Sequence, residues 1–351
     1  METALIRLVG VRYPIVQTGM GWVAGPRLVS AAANAGALGI LASATMPLDR
    51  LREAVREVRS RTWAPFGVNL RADAGDAADR VRILLEEGVR VASFALAPSS
   101  GLIAELKAAG VVVIPSVGAR RHAEKVAAWG ADAVLVQGGA GGGHTGEVAT
   151  SVLLPQVVDA VRIPVVAAGG FFDGRGLVAA LAYGAAGVAM GTRFLLTSDS
   201  TVPDAVKARY LAATVRDVTV TRAVDGLPHR MLRSEPGDGA GAVGPDPRPH
   251  ARGAAGGFRR LSGLTWRQLL QDGLALRHGK DLSWSQTLLA ANTPMLLKSA
   301  MVDGRTDLGV MAAGQVAGVI GDLPSCAELV ERITREAEEV LTGLEKLRGA
   351  R

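Results

Sequence analysis

Between residues 11 and 191, eight short apolar segments recur about every 20 to 30 residues, and none alternates apolar with polar side chains. They are Ile15 to Gln17, Leu38 to Leu41, Phe66 to Leu70, Val91 to Ala95, Val111 to Pro115, Ala133 to Gln137, Pro164 to Ala168 and Gly187 to Met190. A strand with one wet face alternates; a strand covered on both faces reads as an unbroken run of Val, Ile, Leu and Ala, the pattern of buried parallel strands. Parallel neighbours need crossovers, and the intervening stretches, such as LDRLREAVREVRS and ADRVRILLEEG, carry helical periodicity. Gly36, Gly88, Gly110, Gly130 and Gly184 stand just before the next strand, where a glycine ends a helix in the left-handed conformation. Eight such units predict an α/β fold, a (β/α)8 TIM barrel, in preference to a doubly wound sheet.

The texture changes after residue 225. Residues 1–225 are expected to form the barrel and residues 226–260 a mobile excursion. The latter contains EPGDGAGAVGPDPRPHARGAAGG, which offers almost nothing to bury. Residues 261–351 return to helical patterns, WRQLLQDGLALRHGK, SWSQTLLAANTPMLLKSAM and SCAELVERITREAEEVLTGL. They are expected to form a helical layer packed on the barrel.

Composition narrows the function classes. With 48% hydrophobic and 21% charged residues in 351, the chain reads as an ordinary globular protein. Its apolar runs stop short of the ~20 residues a bilayer requires, and METALIRLVGVRYP lacks the core and cleavage site of a signal peptide. A cytoplasmic protein without a membrane partner is expected. The single Cys326 excludes an internal disulfide and a cysteine metal cluster, and reads as a buried small residue. His122, on the helix after the fifth strand, reads as structural, and no zinc spacing links His229, His250 and His278. A net charge of +6 suits nucleic acid, an anionic cofactor or a CoA-type substrate. The arginines between residues 230 and 260, Arg230, Arg233, Arg248, Arg252, Arg259 and Arg260, are not regularly interleaved with aromatics. That argues against nucleic acid and leaves a solvated face or an anion site, with Arg230, Arg259 and Arg260 as candidates for CoA phosphates.

In a barrel the working end is the C-terminal edge of the strands. There the first strand runs into Gln17-Thr18-Gly19-Met20-Gly21, the third ends at Asn69, and the sixth ends at Gln137 and enters GGAGGGHTG. The seventh enters Gly169-Gly170 and the eighth Gly191-Thr192-Arg193. Bare backbone after the last two strands is where barrels commonly hold a phosphate. The stretch GGGHTG formally satisfies the dinucleotide fingerprint, but it follows the sixth strand and has no suitably placed carboxylate. His144 lies in this glycine loop with no apolar periodicity to bury it, which favours an acid-base role over a structural one.

Taken in order, PIVQTGMGWVAGP, NAGALGILAS, PFGVNL, GGGHTG, IPVVAAGGFFDGRG, GVAMGTRFL and AAGQVAG resemble the nitronate monooxygenase (2-nitropropane dioxygenase) family of FMN-dependent oxidoreductases, which also holds flavin-containing enoyl-thioester reductases. The resemblance implies a (β/α)8 barrel with FMN across its strand ends and His144 as the catalytic residue. It implies that Met20, Gly21, Asn69 and Gln137 line the flavin ring and ribityl chain, with Gly142 and Gly143 beside them. Gly169, Gly170, Gly191 and Thr192 would hold the phosphate, and Gly314 and Gln315 close the site. Further stretches, VRVASFALAP, FLLTSDSTVPDAVK, DGLPHR and WSQTLLAANTPMLLK, are similar to members that dehydrogenate ring-fused acyl-CoA thioesters in bacterial steroid breakdown. The implied reaction is proton removal by His144 and hydride transfer to flavin. The alternatives are oxidation of alkyl nitronates with oxygen, or an NAD(P)H-dependent enoyl-thioester or quinone reductase. A homodimer is compatible with the family.

Overall fold

A computed structural model describes residues 1–222, 224, 227–233, 284–307 and 309–349, without the side chains of 284–292. All eight expected strands form: β1 Ile15–Gln17, β2 Leu38–Ala42, β3 Phe66–Arg71, β4 Val91–Ala95, β5 Val112–Val117, β6 Val134–Gln137, and then, after a short strand β7 Gly143–His144, β8 Val165–Ala168 and β9 Gly187–Met190. β1 to β6, β8 and β9 pair in parallel and close into a barrel, with β9 returning to β1. Each of the five punctuating glycines has a positive φ, between 58° and 93°, as a left-handed helix ending demands.

Two buried layers explain the continuous apolar runs. One cluster gathers Val16, Leu38, Ile40, Val91, Ile114, Leu135, Val166 and Ala189. Only the barrel interior can bring side chains from seven strands together. The other unites Leu41, Val68, Leu70, Ala92, Phe94 and Val113 with the helical residues Leu51, Val55, Val58, Val81 and Leu84, so the alternate positions of the same strands are covered by helices. At the barrel's other end, helix Ala4–Val9 adds Leu5 and Val9 to the interior cluster. β1 is short, and its ladder to β2 is extended by a side chain: the Gln17 amide accepts from Ile40 N at 3.3 Å and donates to Ile40 O at 3.5 Å.

The described residues divide into two compact units, and the division does not follow the expected boundaries at 225 and 260. The first contains Met1–Gly141, Gly146–Thr201 and Val319–Arg351; the second contains Gly142–Thr145 and Val202–Gly318. The C-terminal helix Cys326–Gly349 belongs with the barrel because it packs on helices Gly174–Ala182 and Pro26–Asn34. Gly174 is the point of closest approach: an added Cβ would stand 2.4 Å from Ala337 N, and its own N–H donates to Glu336 Oε2 at 2.9 Å. In the second unit an antiparallel sheet runs β10 (Val218–Thr221), β11 (His229–Leu232), β7. β11 lies inside the stretch expected to be a mobile excursion. Met231 and Leu232 explain the difference, since both are buried, Met231 with Val224 and Val310. Residues 234–260, the greater part of that stretch, lie outside the described residues, as do 261–283 of the expected helical layer.

Gly174→Val is expected to destabilise the protein by about 1–3 kcal/mol, the usual cost of forcing extra carbon into a packed contact, read as a lower denaturation midpoint. A second expectation concerns Glu87, whose carboxylate accepts from Arg56 Nη2 at 2.8 Å and Arg52 Nη1 at 2.9 Å. The Arg56 hydrogen bonds hold its pKa below the ordinary range, against the opposing effect of burial. A depressed folded value stabilises above the unfolded pKa of about 4.3 and is lost as pH falls through the folded value. Glu87→Gln therefore lowers the melting temperature at pH 7, and the gap to wild type closes on acidification below about pH 4.

Candidate active site

At the C-terminal edge of the barrel, the first strand's exit meets those of the third and the last. Gly19 lies so close to Asn69 that an added Cβ would stand 2.5 Å from the Asn69 Cβ, and one on Gly191 would meet Thr18 Oγ1 at 3.1 Å and Met20 Sδ at 3.4 Å. Thr18 N donates to Met190 O at 3.2 Å, which ties the two exits together. Asn69 donates through Nδ2 to Ser93 Oγ at 3.3 Å, while its carbonyl accepts from Ser43 Oγ at 2.7 Å. Met20, Asn69, Gly191 and Thr192 are thus gathered on one edge. Gly21 follows Met20 and touches Thr45.

The exits of β6 and β8 form a second set beside it. Gly169 and Gly170 both take left-handed φ, 94° and 95°, which only glycine adopts without penalty. A Cβ on Gly169 would lie 2.9 Å from Gly138 O and from Gly141 N; one on Gly141 would lie 2.7 Å from Gln137 Nε2. Thr150 Oγ1 donates to Gly169 O at 2.8 Å, and Gly138 N donates to Ala168 O at 3.0 Å. The neighbouring strand β9 leads through Gly191, the N-cap, into the short helix Thr192–Leu195. The exits of two adjacent strands, β8 and β9, are therefore glycine backbone, a setting that fits an anionic phosphate.

Arg193 anchors that last turn. It is 2% exposed, donates through Nη1 to Asp322 Oδ1 at 2.7 Å, and through Nη2 to Leu196 O at 2.6 Å and Asp322 O at 2.9 Å. Burial pushes its pKa down, and Asp322 partly offsets this. Asp322 also accepts from Arg332 of the C-terminal helix. The sequence carried no sign of this anchor, because its members are more than a hundred residues apart.

The glycine loop leaves the barrel unit at Gly141, and its continuation belongs to the second unit. Gly143 and His144 are not loop but the short strand β7, paired with β11 through His229↔His144 and Arg230↔Gly143. The expectation of an irregular loop is corrected by those backbone bonds, which glycine alone makes hard to foresee. Gly142 abuts the segment carrying Gly314, where an added Cβ would stand 2.5 Å from Gly314 N. Gln315 opens the 3-10 helix Gln315–Val319. His144, Gly142, Gly143, Gly314 and Gln315 are therefore in one unit, and His144 is exposed. Arg230 is half-buried in β11, where desolvation lowers its pKa. Arg259 and Arg260 lie outside the described residues.

Three features escaped the sequence reading. His229 is 2% exposed and meets His144 edge to face, with ring centroids 5.0 Å apart and an interplanar angle of 71°. Its one signal was its place in DGLPHR. Trp22 and Leu96 carry positive φ, 65° and 71°, which is uncommon for bulky residues; both follow barrel strands, β1 and β4. Among the described residues no helix is long and apolar enough to cross a membrane.

These strand ends can be set beside known proteins. The family described as nitronate monooxygenase matches residues 2–336. A curated protein of Mycobacterium tuberculosis, named (3aS,4S,5R,7aS)-5-hydroxy-7a-methyl-1-oxo-octahydro-1H-indene-4-carboxyl-CoA dehydrogenase, is 65% identical over 346 residues, 96% of either chain. One of the same name from Rhodococcus jostii is 59% identical and covers 99% of both. Among solved structures, FabK from Thermotoga maritima superposes with a TM-score of 0.80 at 35% identity, over 99% of each chain. The match of the family over nearly the whole length, on a closed eight-stranded barrel, makes this chain a member of the nitronate monooxygenase family of flavin-dependent oxidoreductases.

Proposed function

We propose that the protein is an FMN-dependent dehydrogenase of a steroid-derived, ring-fused acyl-CoA thioester, with His144 as its base. The observation that carries the substrate class is the 65% and 59% identity, across almost the full chain, to two proteins named for that one activity. FMN is preferred over larger cofactors because the paired glycine exits of β8 and β9 suit a single phosphate. In this reading Gly169, Gly170, Gly191 and Thr192 hold that phosphate. Met20, Gly21, Asn69, Gln137, Gly142 and Gly143 line the ring and ribityl chain, with Gly314 and Gln315 beside them.

When bound, FMN supplies the two-electron acceptor for a hydride from the substrate carbon next to the reacting centre. The protein's part is the proton. A thioester carbonyl acidifies the carbon alpha to it, and an exposed imidazole on a fixed strand can take that proton as the double bond forms. Arg230, with Arg259 and Arg260 of the adjoining sequence, is assigned to the CoA phosphates, since charged hydrogen bonds from arginine suit them.

Three outcomes are expected. Gly191→Asp places a carboxylate where the phosphate is held, so the purified variant is colourless while wild type is yellow and releases FMN on denaturation; a yellow Gly191→Asp protein would contradict the phosphate assignment. His144→Ala keeps its flavin and binds substrate, yet its anaerobic flavin reduction by the hydroxy-methyl-oxo-octahydroindene-carboxyl-CoA is slower by about 10²-fold or more. Wild type is bleached by that thioester faster than by propyl-2-nitronate. Faster bleaching by the nitronate would replace the dehydrogenase reading with nitronate oxidation and leave the base in place.

A further inference from the structure

The most developed pairing outside the residues already assigned is that of two histidines. His144 and His229 are direct cross-strand partners, and Arg230↔Gly143 on one side and Thr145 N donating to Pro228 O at 3.0 Å on the other fix the register around them. Cβ atoms of such partners lie about 4.5–5.5 Å apart, so the two rings must meet, and they do so edge to face at 5.0 Å. Their exposures are opposite: His229 is buried at 2%, whereas His144 faces solvent. β11 is itself held on both edges, by β10 through four registered pairs and by β7 through two. The Ala313 N–H donates to Arg230 O at 3.2 Å, and Leu232 N to Met311 O at 2.9 Å.

His144 follows a run of glycines and stands exposed. The preceding residues 141–143 are glycines, and the second torsion of a histidine side chain is a broad, shallow well. General-base catalysis nevertheless needs the ring nitrogen within hydrogen-bond reach of the proton, and a misplacement of about 1 Å costs on the order of 10²-fold in rate. The buried His229 ring is a fixed aromatic wall against the exposed one.

We propose that His229 is the positioning residue for His144: its buried ring, locked in β11, sets the tilt of the exposed imidazole by edge-to-face contact across the β7–β11 pair. The proposal rests on the reading of His144 as the base. It assigns His229 no contact with substrate or flavin. The ring matters rather than its nitrogens, so another flat ring restores the function and an apolar side chain of similar bulk does not.

The test uses the full-length, flavin-loaded protein with His229→Leu, which suits a buried position, and His229→Phe, which keeps a ring. With the hydroxy-methyl-oxo-octahydroindene-carboxyl-CoA under anaerobic conditions, His229→Leu keeps its flavin content, and its substrate dissociation constant stays within about twofold. Its flavin reduction slows about 10-fold or more. His229→Phe recovers most of the loss. In the double variant with His144→Ala, the Leu substitution causes no further slowing, because the group it positions is gone. A readout without turnover comes from flavin-free, 15N-histidine-labelled protein: the His144 ring signals, assigned by their loss in His144→Ala, shift in His229→Leu and return toward wild type in His229→Phe. Unmoved ring signals, wild-type reduction by His229→Leu, or an additive loss in the double variant would overturn the proposal while His144 remains the base. If His229→Leu fails to fold, the Phe variant decides by itself, since reduction at the rate of His144→Ala would equally overturn it. Wild-type reduction by His144→Ala would remove the base assignment, and this proposal with it, whereas a ring-signal shift would still report the contact.

Discussion

Burial of both faces of eight short strands is the constraint on which the site depends. A parallel strand covered on each side has no polar face to turn to water, so the sheet closes on itself and the helices close over it. Closure in parallel sends every strand's C-terminal end to the same edge. Residues as distant in sequence as Gly19, Asn69 and Gly191 become neighbours there because the barrel, not any local motif, sets their spacing. Neighbouring chain can approach that closely at this edge only where a Cβ is absent, and glycine at 19, 138, 141, 169 and 191 is the consequence.

The ion pair of the buried Arg193 plays a different part. Its guanidinium donates to two carbonyls and a carboxylate at once, which ties the turn after β9 to the segment that carries Asp322. The guanidinium is buried while the Asp322 side chain is 43% exposed, so removing Asp322 would strand a buried charge, which is costly. Its value lies in fixing a conformation. The same logic, in apolar form, operates where Gly174 lets the C-terminal helix settle onto helix Gly174–Ala182.

The barrel was legible because its signal is periodic and local. Apolar runs name the strands, and a glycine that must take positive φ names each helix end, as Gly36 and Gly184 do. The glycine exits were legible from the order of strands alone. The pairing of β7 with β11 was not, because residues 143 and 144 have no strand pattern and their partner lies some 85 positions on, beyond β8 and β9. His229 was hidden for that reason: it gains meaning from its neighbour, not from its own surroundings in the sequence. Trp22 and Leu96 were hidden for another, since a positive φ at a bulky residue is imposed by the fold and contradicts local preference.

Cys326 opens the C-terminal helix with its side chain fully buried, its N–H donating to Asp199 Oδ2 at 2.7 Å, and burial raising its thiol pKa to about 12. Since the thiolate is the reactive form, this sulfur is inert while the helix is seated. As the chain's only cysteine, it is a built-in clock for departure of that helix from the barrel: the rate at which an alkylating reagent captures it reports how often the first turn opens, with no label added and no other thiol to confuse the count.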